Sequence, residues 1–260
     1  MLRNRLRQQL RDGQTTYGLW VTVESPTITE IAVACGLDWI CVDTEHGHLD
    51  YRELMEHLRA ARGSQTSVLV RVPELQMSAV KRVLDMGAHG VILPYARSRD
   101  ELATAMSYGR YPPEGIRGVG GERAFKWGMG MQEYLSYAND ETLLIPLIET
   151  REAVAEIDDI LALPGIEAIF FGPADLSASY GHLGSWDEHG VAEIVADIKS
   201  RAAAKGIASG ILARGTADAA ARRDQGFQMV GLGADMTLLV RAIRENLAHL
   251  GRDTTPRLWF

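Results

Sequence analysis

The sequence predicts a closed (β/α)8 TIM barrel, in which eight parallel strands alternate with helices. Short apolar runs bounded by turn residues recur eight times, and runs of this kind are typical of buried parallel strands. The chain has 260 residues, which suits one such barrel. No proline-rich or serine-rich linker divides it, so we expect a single domain over residues 1–260.

The predicted elements follow one another regularly. A short basic helix over residues 4–13 precedes the barrel, and a long helix over residues 237–250 ends it. The predicted strands cover residues 17–23, 39–45, 67–72, 90–96, 143–150, 168–175, 208–213 and 227–235. Residues 110–130 and 176–187 form longer connections, which in a compact domain are often functional. The apolar tail Leu258, Trp259 and Phe260 indicates either a subunit contact or packing on its own barrel.

Composition and charge exclude several classes of function. The net charge is −7 and the basic residues form no stripe, so we expect no nucleic-acid partner. No signal peptide and no apolar run of the roughly 20 residues that span a bilayer is present, which predicts a cytoplasmic protein without membrane contact. Cys35 and Cys41 lie in apolar contexts and are predicted to be reduced core residues.

Functional side chains are predicted at one end of the barrel, because the catalytic groups of this fold lie where its strands end. Glu149 ends the fifth predicted strand and Asp175 ends the sixth, so two carboxylates would lie side by side. Like charges this close need a cation or a shared proton. Oxygen ligands favour Mg²⁺ or Mn²⁺. The alternative is that both acids form salt bridges with Arg71 or cap helices.

Two more rim residues have side chains suited to chemistry. His46 follows the second strand and has a pKa that suits a base at neutral pH, with Asp43 and Glu45 near enough in sequence to orient it. His48 is a competing candidate. Arg71 ends the third strand, where its planar fork suits a carboxylate or an enolate oxygen. The alternative for Arg71 is a salt bridge to Glu149, and the two interpretations are compatible.

A turn at the end of the sixth predicted strand offers backbone N–H groups to an anion. Gly172, Pro173 and Ala174 form a tight turn whose N–H groups, with those of the next helix, are candidates for binding an anionic carboxylate.

An imine-forming aldolase needs a lysine in the barrel mouth. The lysines instead fall in helices, at helix ends or in the long loop: Lys81, Lys126, Lys199 and Lys205. A Schiff-base mechanism is therefore disfavoured, and an enolate held by a metal ion remains.

Five sequence segments resemble one known family. They are VDTEH at 42–46, VLVRV at 68–72, RYPPEGIRGVG at 110–120, LIET at 147–150 and FFGPADLSASYG around residue 171. These segments resemble the HpcH/HpaI family of metal-dependent (class II) pyruvate aldolases, and the resemblance runs from residue 18 to about residue 239. RYPPEGIRGVG and GPADLSAS are its most specific strings.

The resemblance implies roles for the rim residues. Glu149 and Asp175 would bind Mg²⁺ or Mn²⁺, with Co²⁺ also acceptable, and pyruvate would be chelated through its carboxylate and keto oxygens. Arg71 would stabilise the enolate oxygen, and His46, supported by Asp43, would be the acid/base acting through water. The expected substrate-binding residues are Trp20, Arg71, Gly172, Pro173, Ala174 and Leu212, with Asp85 contributed by a neighbouring subunit. The family also implies a homohexamer, a dimer of trimers that exchange the last helix.

The chain departs from the family pattern beside the site. Gly47, His48 and Leu49 stand where a proline often follows the catalytic histidine, and Pro146 stands where glutamine is common. Both changes could alter the pocket wall and therefore which aldehyde the enzyme accepts. The sequence therefore predicts an aldolase that reversibly cleaves a 4-hydroxy-2-oxo acid to pyruvate or hydroxypyruvate and an aldehyde.

Two other functions remain open at this stage. One is a lyase of the same superfamily acting on a hydroxy diacid or its CoA ester, and the other is a catalytically silent barrel that binds a small acid. A CoA ester would need a polyanion grip, for which only Arg117 and Arg123 in the long loop are available. No nucleotide cofactor is expected.

Overall fold

A computed structural model of the chain describes residues 4–187 and 190–256. Eight strands pair in chain order, each with the next and the last with the first, and every pairing is parallel. The predicted barrel is confirmed. The strands are β1 (Thr16–Val21), β2 (Trp39–Asp43), β3 (Ser67–Arg71), β4 (Gly90–Leu93), β5 (Leu143–Ile148), β6 (Ala168–Phe171), β7 (Ala208–Leu212) and β8 (Met229–Ala234).

Helices occupy the connections and both ends of the described chain. The predicted N-terminal helix is present as α1, and three connections hold more than one helix: three between β4 and β5, and two each between β5 and β6 and between β6 and β7. The helices are α1 (Arg5–Arg11), α2 (Thr27–Ala34), α3 (Tyr51–Ala60), α4 (Met77–Asp85), α5 (Arg99–Ser107), α6 (Met131–Leu135), α7 (Ala138–Glu141), α8 (Arg151–Ala155), α9 (Ile157–Ile160), α10 (Pro173–Ser179), α11 (Val191–Ala204), α12 (Thr216–Asp224) and α13 (Asp235–His249).

The core has two layers because strand side chains alternate between the two faces of the sheet. In β2, Trp39 and Cys41 belong to the cluster inside the barrel, whereas Ile40 and Val42 pack under the surrounding helices. Gly18 in β1 makes room for the Trp39 indole, since a Cβ at Gly18 would lie 2.1 Å from that ring. The barrel is therefore filled with side chains and is closed as a channel.

The two ends of the barrel are finished differently. Helix α1 covers the N-terminal end, where Leu6 and Leu10 join the interior cluster. At the other end Asp235, at the start of α13, accepts hydrogen bonds from the backbone N–H groups of Thr22 and Val23 at 2.9 and 3.0 Å. The Asp235 carboxylate therefore connects the end of β8 to the end of β1. The candidate functional groups lie at the ends of the other strands, which form the mouth of the barrel.

The structure corrects several local expectations, since β2, β4 and β5 end at Asp43, Leu93 and Ile148 and not at residues 45, 96 and 150. Strand β6 ends at Phe171 and not at Asp175, because Pro173 begins α10 and places Asp175 in its first turn. Proline favours this first helical position since its fixed φ suits the helix and its missing N–H has no partner to lose. Cys35 is exposed at the C-terminal end of α2 and only Cys41 is buried, although both thiols are free.

The long connection over residues 110–130 is held by its own small core. Tyr111, Phe125 and Ala138 form a cluster beside the barrel. Arg117 is completely buried there, with its Nη2 2.7 Å from Asp85 Oδ1 and its guanidinium over the Tyr111 ring. The connection is thus anchored to the C-terminal end of α4 by a buried ion pair.

The last helix has an apolar face that the described residues leave exposed. Five large apolar side chains of α13 are exposed: Met236, Leu239, Val240, Ile243 and Leu247. Within the described ranges, no helix is long and apolar enough to cross a membrane. The apolar tail predicted to make a contact, Leu258 to Phe260, lies outside the described residues.

Candidate active site

A buried ion pair joins the ends of two neighbouring strands. Asp43 and Arg71 are the last residues of β2 and β3, and they lie directly opposite in the strand register. Arg71 Nε lies 2.9 Å from Asp43 Oδ1, and Arg71 Nη2 lies 2.5 Å from Oδ2. Trp20 Nε1 donates to the same carboxylate at 3.2 Å, and the guanidinium lies 5.3 Å from the Trp20 ring centroid. Trp20 is therefore packed beneath Arg71.

The surroundings keep Asp43 ionised. Burial on its own would raise the pKa of Asp43, but the hydrogen bonds and charge of Arg71 outweigh burial and hold that pKa below its ordinary value. The backbone N–H groups of Glu45 and His46 also donate to Asp43 Oδ1, at 3.0 and 3.2 Å. Asp43 therefore fixes the backbone that carries His46, and this backbone contact is the form that the predicted support of His46 by Asp43 takes in the structure.

Glu45 is the neighbour of the His46 ring. Its Oε2 lies 4.0 Å from His46 Nε2 and 3.0 Å from Arg71 Nη1, and the His46 side chain is 66% exposed at the mouth. Arg71 thus pairs with Asp43 and Glu45, where the sequence had suggested Glu149. Glu45 Oε2 is buried and receives no hydrogen bond from the described residues. Burial raises the pKa of Glu45 in spite of the opposing charges of Arg71 and His46.

Glu149 is the most strongly perturbed carboxyl group of the mouth. It directly follows β5, is 2% exposed, and its Oε1 accepts the Tyr95 N–H at 2.6 Å. Burial, helped by the charges of Asp175 and Glu45, raises its pKa to about 8, although the Tyr95 N–H and Arg71 act in the opposite direction. A cation bound beside Glu149 would favour its ionised form.

The turn after β6 brings its backbone against this carboxylate. A Cβ at Gly172 would lie 2.5 Å from Glu149 Oε2, so only glycine permits this approach. Pro173 and Ala174 follow in the first turn of α10, and Asp175 beside them is exposed to the mouth. Asp175 is close enough for its charge to raise the pKa of both Glu149 and Glu45.

The charge balance of the mouth fits a divalent cation. Four carboxylates lie in the mouth, from Asp43, Glu45, Glu149 and Asp175, and Arg71 pairs with the first two of them. Their hard oxygen donors suit Mg²⁺ or Mn²⁺. Among the described residues no group of three or more His, Cys, Asp or Glu side chains forms a metal site. A metal held by Glu149 and Asp175 would therefore keep coordination positions for water and substrate.

A family model described as HpcH/HpaI aldolase/citrate lyase matches residues 16–242. The chain belongs to this family. It is 34% identical to a hydroxypyruvate/pyruvate aldolase from Roseovarius nubinhibens, over 96% of this chain and 98% of that one. It is 36% identical to a 5-keto-4-deoxy-D-glucarate aldolase from Salmonella paratyphi C, over 94% and 95% of the two chains.

A solved structure gives the same result. A HpcH/HpaI aldolase/citrate lyase family protein from Burkholderia cenocepacia superimposes with a TM-score of 0.89 at 37% identity, covering 95% of this chain and 99% of that one. The chain is an enzyme, a lyase of the aldolase type. Aldolases of the HpcH/HpaI family generally depend on a divalent metal ion.

The structure places the predicted catalytic, metal-binding and substrate-binding residues at the mouth, except for Asp85. Leu212 ends β7 and packs against the interior cluster that contains Trp20. Asp85 instead ends α4, the helix that returns to the N-terminal end of the barrel, where it pairs with Arg117. Asp85 is therefore remote from the mouth of its own subunit, and a role for it at a site requires a neighbouring subunit.

Sequence reasoning missed two features of the site. Glu45 was considered only as a neighbour of His46, although it is the second carboxylate on Arg71. Tyr95 was not considered. Its backbone has a left-handed conformation, with φ of 52°, and its N–H donates a hydrogen bond to Glu149 Oε1. Non-glycine residues with positive φ are uncommon and concentrate at functional sites. No sequence pattern indicates such a conformation at a tyrosine.

Proposed function

We propose that this aldolase reversibly cleaves 4-hydroxy-2-oxo acids to pyruvate or hydroxypyruvate and an aldehyde, using Mg²⁺ or Mn²⁺. The observation that carries the proposal is the buried Glu149, whose pKa is raised to about 8 beside Asp175 and the fork of Arg71. A bound cation would favour the ionised form of such a group near neutral pH. The named relatives support pyruvate and hydroxypyruvate as the donors.

Each residue of the mouth has a role in this proposal. A divalent ion held by Glu149 and Asp175 would supply Lewis-acid stabilisation of negative charge on the 2-oxo acid. Arg71, kept in place by Asp43 and Glu45, donates its N–H groups to the oxygen that becomes the enolate oxygen. His46 stands at the exposed side of the mouth and moves the proton through water.

Two structural observations weigh against the other candidate functions. The guanidinium of Arg117 is buried on Asp85, and that of Arg123 donates to the carbonyl groups of Met86 and Leu58. Neither is arranged as a grip for the phosphates of a CoA ester. A silent binding barrel would have no need of a buried carboxylate with a pKa of about 8, because that group costs stability whenever it is ionised.

We also propose that the enzyme works as a dimer of trimers in which α13 is exchanged between subunits. The uncovered apolar face of α13 supports this assembly, since large apolar patches on soluble chains are usually covered by a partner. Sedimentation should then give a mass of six chains for the wild-type protein. Leu239→Arg, on that face, should lower the mass, whereas Glu245→Arg on the same helix is the matched control.

The donor half-reaction is tested without knowing the aldehyde. Purified enzyme is incubated with pyruvate in D₂O, with Mg²⁺, with Mn²⁺ or with EDTA, and the methyl proton signal is followed by NMR. Loss of the signal only with metal supports an enolate formed at this site. Absence of exchange with either metal, for both pyruvate and hydroxypyruvate, would overturn the proposed donor.

A further inference from the structure

A cleft runs outward from the catalytic mouth over the ends of β3 and β4. Its volume is about 710 Å³, and its lining includes Glu45, Glu74, Tyr95 and Arg97. Two of these residues also belong to the mouth, because Glu45 pairs with Arg71 and the Tyr95 N–H holds Glu149. A molecule that extends beyond the donor 2-oxo acid therefore meets this cleft.

The positions of Tyr95 and Arg97 give the cleft a distinct wall. The Tyr95 side chain is 53% exposed, although its backbone is fixed by the hydrogen bond to Glu149. The guanidinium of Arg97 lies 5.3 Å from the centre of the Tyr95 ring. An exposed aromatic ring held by a fixed backbone presents an apolar surface to a carbon chain at little cost in conformational entropy.

The charged side chains of the cleft are mainly acidic. Its lining contains four carboxylates, from Glu45, Glu74, Asp100 and Glu101, and one basic group, Arg97. Arg71 compensates Glu45, and Arg99 lies 2.8 Å from Asp100.

Among the described residues, the two remaining carboxylates, Glu74 and Glu101, have hydrogen-bond partners but no ion-pair partner. Glu74 accepts from the Gln76 side chain and Glu101 from the Arg97 backbone. Their two negative charges outnumber the single positive charge of Arg97, so the electrostatic potential in the cleft is negative.

We propose that this cleft binds the aldehyde partner and selects a neutral, hydroxylated aldehyde over one that carries a carboxylate. The inference rests on the proposed aldol reaction and deepens it by naming the class of aldehyde. Tyr95 packs against the carbon chain of the aldehyde, and the oxygens of Glu74 and Glu101 accept hydrogen bonds from its hydroxyl groups. A distal carboxylate would face these same oxygens and be repelled.

The test compares two aldehydes of equal carbon number, glycolaldehyde and glyoxylate, each with pyruvate as donor. The ratio of their kcat/KM values is measured for wild type, Glu74→Gln and Arg97→Gln. One unit charge about 7 Å away in water changes a rate ratio by about threefold. We expect Glu74→Gln to raise relative use of glyoxylate about threefold and Arg97→Gln to lower it about threefold.

Two controls separate charge from other causes. Glu193→Gln, an exposed acid of α11 that is absent from the cleft lining, should leave the ratio at its wild-type value. Raising the salt concentration should move the wild-type ratio towards glyoxylate, because exposed charges are screened within about 10 Å at 0.1 M. A ratio that stays constant across Glu74→Gln, Arg97→Gln and salt would overturn the assignment of the cleft.

Failure of the proposed function gives a different result. Exchange of the pyruvate methyl protons by the wild-type enzyme needs no aldehyde, so its absence refutes the donor chemistry alone. Normal exchange combined with an unchanged aldehyde ratio refutes only the acceptor cleft. A wild-type preference for glyoxylate that Arg97→Gln abolishes would reverse the proposed selectivity.

Discussion

The two ends of the barrel both contain buried charges, but they balance them differently. At the N-terminal end the side chain of Arg7 lies 2.7 to 2.9 Å from both oxygens of Glu167, and Arg11 adds a second guanidinium at 2.9 Å. At the mouth there are four carboxylates, of which Arg71 pairs with two, and Glu149 has a pKa of about 8. Glu141 Oε1 also lies 4.0 Å from Arg7 Nη1, so two carboxylates balance the two guanidinium groups at the N-terminal end, whereas carboxylates outnumber the guanidinium of Arg71 at the mouth.

Replacing Arg71 should have the largest effect. Arg71→Lys keeps the positive charge but loses the planar fork that holds Asp43 and Glu45, so we expect exchange of pyruvate protons to slow by about 10² to 10³. Arg71→Ala should also lower the free energy of unfolding by about 3 to 5 kcal/mol, because the buried Asp43 and the partly buried Glu45 lose their cation. Urea denaturation measures this loss. A wild-type exchange rate in Arg71→Lys would remove Arg71 from the chemistry.

Glu149 should make the stability of the metal-free protein depend on pH. Its pKa is raised from 4.5 to about 8, so the folded state binds this proton more tightly than the unfolded state. The free energy of unfolding of metal-free protein should therefore fall as pH rises from about 4.5 through 8, by a few kcal/mol at about 1.4 kcal/mol per pKa unit.

The matched variant for this effect is Glu149→Gln, which cannot ionise. In EDTA at pH 8.5 it should be more stable than the wild type, and below pH 5 the two should converge. Added Mg²⁺ should stabilise the wild type at pH 8.5 and leave Glu149→Gln unchanged. Equal pH profiles of the two proteins in urea denaturation would show that Glu149 ionises without cost.

The sequence was sufficient to predict the barrel and the position of three candidate site residues at the strand ends, because both follow from the same apolar pattern. Asp43, Arg71 and Glu149 each end or directly follow an apolar run, and the parallel topology brings these ends together. The boundary of β6 was wrong because an apolar run continued through Gly172 into a helix that Pro173 starts.

Orientation and loop geometry were beyond the sequence. His46 lies past the end of β2, so strand alternation no longer fixes where its ring points, and the ring faces solvent beside Glu45. The contact of the Tyr95 N–H with Glu149 depends on a backbone conformation set by the whole β4–α5 connection. Both features arise from tertiary contacts and not from local composition.

Replacing His46 should affect catalysis without affecting stability. His46→Asn should slow pyruvate exchange by about 10², as expected for loss of a general acid/base. Its exposed ring makes few contacts, so the free energy of unfolding should change by less than about 0.5 kcal/mol. His48→Asn, an exposed histidine two residues later, is the matched control. If His48→Asn loses exchange and His46→Asn keeps it, the acid/base role belongs to His48.

The smallest effect on pyruvate exchange should come from the N-terminal end. Arg7→Met removes the best-placed partner of Glu167, and we expect the free energy of unfolding to fall by about 1 to 3 kcal/mol. Exchange of pyruvate protons by the folded enzyme should remain within twofold of wild type, because α1 closes the end of the barrel opposite the mouth. Adding Glu167→Gln should restore part of the stability by removing the uncompensated charge. A loss of exchange similar to that of Arg71→Lys would show that the two ends are coupled, and that balanced charges at the closed end also serve catalysis.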